Sequence, residues 1–156
     1  MKKTFLLFII LIATRVCFSQ GISFEDGSVI SVVKGSNNAK NFLLSSDLNS
    51  YSLLGVYFKA LDKRETIDEN AVADINIARL SVLEKAILKD GFARVRYNQQ
   101  NGIIKKGDLI SISSEPGVGA KAVASGMVVG IALEDTDPKL SSGLVEIRVL
   151  IQYVKF

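Results

Sequence analysis

Four groupings in this sequence bring together residue types that chemistry uses. Ser31-Val32-Val33-Lys34 has the Ser-x-x-Lys spacing in which a lysine one helical turn from a serine takes its proton. Glu134, Asp135 and Asp137 stand close enough to bind calcium if backbone oxygens join them, and Asp68, Glu69 and Asp74 form a looser set of the same kind. Gly117-Val118-Gly119-Ala120-Lys121-Ala122 follows a predicted strand, as does the glycine-rich loop that brings a helix amino terminus to a pyrophosphate. Arg94 and Arg96, with Lys105 and Lys106, form a candidate interaction strip, able to stack on sugars or hydrogen-bond acidic polymers once neighbouring strands align them.

Each grouping also has a plainer reading set by its surroundings. Ser31 and Lys34 sit in a run of period two, where residues i and i+3 point to opposite faces, so Lys34 reads as a solvated strand end. The acidic sets lack EF-hand spacing and its bidentate glutamate, and read as solvated loops. Behind Gly117 to Ala122, Ser125-Gly126 and another strand follow too soon for a crossover helix. The basic strip reads equally as the wet face of a sheet. No two carboxylates are placed by sequence to face each other across a cleft, as a glycosidase requires.

Composition narrows the chemistry further. The chain of 156 residues has no His, no Trp and one Cys. Its start, Met1-Lys2-Lys3 and an apolar run from Phe5 to Ala13, has the size of a signal peptide, and the small residues Cys17 and Ser19 precede a cut before Gln20. Arg15 argues against a lipid anchor on Cys17. Residues 1–19 are therefore read as a leader, and the mature chain as periplasmic or secreted, with no membrane span after cleavage. Without Lys2, Lys3 and Arg15 it balances 16 basic against 16 acidic residues, which gives no sign of nucleic acid or an anionic membrane as partner. It also has neither Cys nor His, so disulfides, thiolate attack, imidazole bases and ordinary zinc or haem sites are excluded. No cofactor, metal or catalytic residue is expected.

The elements that must position these residues are mostly strands. Ile22 to Phe24, Asp26-Gly27 and Val29 to Val33 read as a hairpin, and residues 35–50, rich in turn formers, as a loop or linker; together they make an amino-terminal segment, 20–50. Ser52 to Phe58 is a strand, followed by a charged stretch, Lys59 to Asn70, outside the core. Residues 71–88 fit both periods: Ile75 with Ile77 and Leu80 with Val82 favour strands, while Val72, Ile75, Leu83 and Ile87 fit a helix capped by Asp68, leaving room for one short helix within 68–88. Strands follow at Phe92 to Tyr97, Leu109 to Ser113, Met127 to Leu133 and Val145 to Tyr153. The alternation places Val95, Tyr97, Ile110, Ile112, Val129, Ile131, Ile147, Val149 and Ile151 in the core, with Tyr153 on the same face of the last strand. The fold class is mainly β, a small antiparallel barrel or sandwich over 51–156.

Residues 91–134 carry Gly91-x-Ala93-x-Val95, Asn101-Gly102-x-Ile104-x-x-Gly107-Asp108-x-Ile110, Ser113-x-x-Pro116-Gly117 and Gly126-x-Val128-x-Gly130-x-Ala132-Leu133-Glu134. Ser52 to Tyr57 and Gly143 to Val149 flank them. This pattern resembles an uncharacterised β-barrel module found near the carboxyl ends of phage tail-fibre and tail-spike proteins and of secreted bacterial surface proteins. Asn101, Gly102, Gly107, Asp108, Pro116 and Gly117 are its structural turns, and none supplies a nucleophile. The resemblance implies an exported, non-catalytic structural or surface-interaction module with a cell-surface or polysaccharide ligand. It also implies a homo-oligomer, with a trimer ahead of a dimer. The alternative is a small hydrolase or self-processing peptidase using Ser, Lys or carboxylates.

Overall fold

A computed structural model describes residues 23–34, 40–46, 49–68 and 70–156. The leader and its cut before Gln20 lie outside these residues, as do Ile22 and parts of the 35–50 segment. The chain is mainly β, with a four-stranded antiparallel sheet and a closed five-stranded barrel. The sheet runs in the order β2 (Lys40–Leu44), β1 (Val29–Lys34), β3 (Leu53–Tyr57), β4 (Ile87–Leu88). The barrel runs β5 (Phe92–Asn98), β7 (Gly119–Lys121), β6 (Leu109–Ile112), β8 (Gly126–Ala132), β9 (Ser142–Val154) and back to β5.

The barrel follows from alternation wherever the ladder is regular. In β5, Ala93, Val95 and Tyr97 are buried between exposed Phe92 and Arg94 and half-buried Arg96. In β9, Val145, Ile147 and Val149 face the core, and Glu146 and Arg148 face water. The expected core residues Val95, Tyr97, Ile110, Val129, Ile147 and Val149 are all buried. Ile112 and Ile151 are half-buried and pack on the same cluster. Ile131 is also only half-buried, because β8 carries an extra residue against β6, where Ser111 pairs with Val128 and the adjacent Ile110 with Gly130. A bulge adds one residue and exchanges the faces beyond it, so Ala132 takes the inward place. Gly130 is required at this point, since a Cβ there would collide with the Arg148 carbonyl. Tyr153, expected on the buried face, is exposed near the end of β9, where it pairs with half-buried Met127.

Three expectations are corrected. Among the described residues no hairpin forms around Asp26-Gly27; the turn is there, with Gly27 at φ +79°, but β1 pairs with β2 and β3. The segment read as a linker contains β2, whose turn-forming neighbours mask an edge strand. Residues 71–88, read towards strands, form α1 (Ile75–Lys85) followed by β4. Asp74, not Asp68, caps the helix, accepting from the amides of Asn76 at 2.9 Å and Ile77 at 3.2 Å. Ile77 is exposed and Leu83 buried, so the period-two signal came from an apolar residue that serves no core.

Sheet and barrel share one core. Val29, Leu53 and Val56 from the sheet pack with Val95, Ile110, Val129 and Ile147 from the barrel, and a second cluster around Phe42, Leu83 and Ile87 fills the space beneath α1. The two are also joined through main chain. Arg96 N–H donates to the Gly27 carbonyl at 3.0 Å, Val29 N–H to Gly117 at 2.8 Å, and Gly117 N–H to Ser45 at 2.8 Å.

Two substitutions test this packing. Ile147→Ala, in a side chain with 0% exposure, should cost about 2–5 kcal/mol in urea unfolding. Ser28 is equally buried, and its hydroxyl has no hydrogen-bond partner among the described residues. Ser28→Ala should therefore leave stability unchanged or raise it by about 1 kcal/mol, because the unpaired hydroxyl is itself a cost.

Candidate functional site

The residues singled out by sequence fall in different places. Ser31 is buried and engaged, its hydroxyl 2.8 Å from that of Ser45 and donating to the Asn49 carbonyl at 3.0 Å. Lys34 ends the same strand. The carboxylates of the 134–137 loop hold backbone: Glu134 accepts from the Glu146 amide at 2.9 Å, Asp135 from Lys106 at 2.7 Å and Asp137 from Lys139 at 2.8 Å. Among the described residues no group of three or more His, Cys, Asp or Glu is placed to hold a metal ion. Gly119 to Lys121 form β7 with no helix after it, so the phosphate-loop geometry is absent there.

The basic strip is divided. Arg94 and Arg96 stand on β5 opposite Glu146 and Leu144 of β9. Lys105 and Lys106 lie in the turn before β6, a strand with no pairing to β5. That turn is built as expected: Gly107 has φ +90°, and Asp108 accepts from the Lys105 amide at 2.8 Å. Burial favours the neutral form of Asp108, but the Lys121 ammonium at 2.8 Å outweighs it and holds the carboxyl below the usual carboxylate range. Gly102 and Gly117 also take positive φ, at +95° and +77°, and Asn101 donates to the Lys121 carbonyl at 2.9 Å. Pro116 is exposed one residue before Gly117.

One half-buried charge cluster was not visible beforehand. Asp62, between two short 3-10 turns, receives the Tyr57 hydroxyl at 2.7 Å and the Arg64 guanidinium at 2.6 Å. Burial followed by the bond to the Asp62 carboxylate pushes the Tyr57 phenol up to about 12. Burial opposes ionisation of Asp62, yet the bonds from Arg64 and Tyr57 prevail and hold it low. Tyr57 and Arg64 both bond Asp62, which holds the end of β3.

The place where polar groups converge without being consumed is a cleft of about 450 Å³ at one end of the barrel. Glu25 and Asp26 approach it from the turn before β1, Arg96 and Tyr97 from β5, and Glu115 and Val118 from the β6–β7 loop; Ser142, Gly143 and Leu144 complete it from β9. Arg96 is paired with Glu25 at 2.7 Å. Tyr97 is only 3% exposed, yet its hydroxyl has no partner among the described residues. Its ring lies against Gly143, where an added Cβ would stand 3.2 Å from the ring and 3.4 Å from the hydroxyl. Sequence reading nominated Arg96 and placed Tyr97 in the core, but Glu25, Asp26 and Glu115 come from distant segments. The one sequence signal for the first two was an acidic pair before a turn glycine.

The Tyr57 cluster gives a titration test. The folded pKa of Tyr57 is raised, so its contribution to stability is intact below the unfolded tyrosine range and is lost as pH rises through about 12. Asp62 has the opposite sense: its contribution is present above the unfolded carboxylate range and is lost as pH falls through its depressed folded value. In tyrosinate absorbance, one of the four tyrosines should ionise last, and Asp62→Asn should bring that phase to lower pH.

Compared with protein-family models, curated proteins and solved structures, the chain has no match.

Proposed function

We propose that the chain is an exported, non-catalytic interaction module that engages a partner at the cell surface through the cleft at the end of its barrel. The observation that supports this reading is Tyr97, a side chain 3% exposed whose hydroxyl has no partner among the described residues and opens on a cleft rimmed by charged side chains. A hydroxyl in that position is left to water in the free protein and is available to a ligand that offers a hydrogen bond. Catalysis finds less support. Ser142 lines the cleft, but the chain has no histidine to activate it, and the Ser31 hydroxyl is spent on Ser45 and Asn49.

The test uses isotope-labelled mature protein, its amino terminus first sequenced to establish cleavage before Gln20. Solubilised cell-envelope material should shift amides of residues 96–97, 115–118 and 142–144, while the intact mass stays constant through long incubation. Shifts confined to other surfaces would remove the cleft from the proposal. A specific internal cut would favour the self-processing alternative.

A further inference from the structure

We propose that this cleft is a socket for one cationic side chain, lysine or arginine, of a partner protein; the inference rests on the cleft being the binding surface. Its charge is the first ground. Glu25, Asp26 and Glu115 face a single guanidinium, Arg96, and the 2.7 Å pair with Glu25 leaves Asp26 and Glu115 as the excess. Among the described residues neither is paired with another cation. Asp26 accepts from the Lys59 amide through Oδ1 at 2.7 Å, and its Oδ2 has no partner among the described residues. The Glu115 carboxylate receives, among the described residues, only the long contact from Asn98 Nδ2, at 3.4 Å through Oε2.

The second ground is independent of charge. Tyr97, 3% exposed, contributes a hydroxyl oxygen that lacks a donor. An ammonium or guanidinium group carries only donors, so it satisfies a hydroxyl oxygen and carboxylates together and leaves no acceptor of its own unpaired. Val118, Gly143 and Leu144 supply an apolar floor for the methylene stem, the part of such a side chain that gains from leaving water. An anion would meet the excess carboxylates. A neutral sugar would desolvate them without compensating their charge.

Acetylated, amidated Gly-Lys-Gly and Gly-Arg-Gly peptides should shift the amides of Arg96, Tyr97, Gly143 and Leu144 in the full mature chain. The norleucine peptide of equal size should not, and added salt should weaken the response. Tyr97→Phe keeps the ring and removes the hydroxyl, and should lower affinity by about three- to tenfold. Asp26→Asn and Glu115→Gln retain an oxygen acceptor and should lower it by about two- to fivefold each. Norleucine peptide or a neutral oligosaccharide binding as well as the cations would overturn the inference, as would unchanged affinity in all three variants. If envelope material still shifts the cleft amides while the cationic peptides do not, this inference fails and the binding reading stands. If neither shifts them, both fail.

Discussion

The barrel closes through a narrow contact. β5 and β7 run parallel and share one paired position, Tyr97 with Gly119, so most of that side of β5 has no strand beside it. Unpaired amides there would need water or another partner. The partner is the turn before β1, whose Gly27 carbonyl receives the Arg96 amide while Gly27 N–H donates to Tyr57 of the sheet at 2.9 Å. Only a glycine fits, because its φ is +79° and a Cβ would stand 2.8 Å from the Arg94 carbonyl. Gly117 does the same on the β7 side, lying against Leu44 of β2. Sheet and barrel are thereby interdependent, and the shared apolar cluster makes the dependence energetic as well as geometric.

That seam also creates the cleft. The turn carrying Gly27 brings Glu25 and Asp26 to the barrel end, and the loop carrying Gly117 brings Glu115. Among the described residues, polar groups elsewhere are matched: Ser31 with Ser45, Thr136 with the main chain of Ile104, Tyr57 and Arg64 with Asp62. Against that background Ser28 and Tyr97 differ from each other in kind. Ser28 is sealed inside the protein, whereas Tyr97 borders a space that another molecule can occupy.

What was legible in the sequence was whatever depended on local alternation. β5 and β9 declared themselves because each has one wet and one dry face over several residues. β8 was read correctly up to its bulge and misread at Ile131, since a one-residue insertion changes parity without changing composition. β2 is an edge strand among turn formers, and α1 depends on a single cap and one buried leucine, so neither left a strong period. The seam and the cleft were illegible for a different reason. They join residues 27, 45, 96 and 117, whose proximity is a property of topology.

The thirteen-residue β9 pairs with β5 from Ser142 to Arg148 and with β8 from Ile147 to Val154, so the final strand of the barrel supplies two of its five seams. During synthesis no earlier portion of the chain can close the ring, however long it waits on the ribosome. Closure joins segments about fifty residues apart, a separation that slows folding relative to local helical pairing. A growing chain of this topology keeps its barrel open until β9 has emerged.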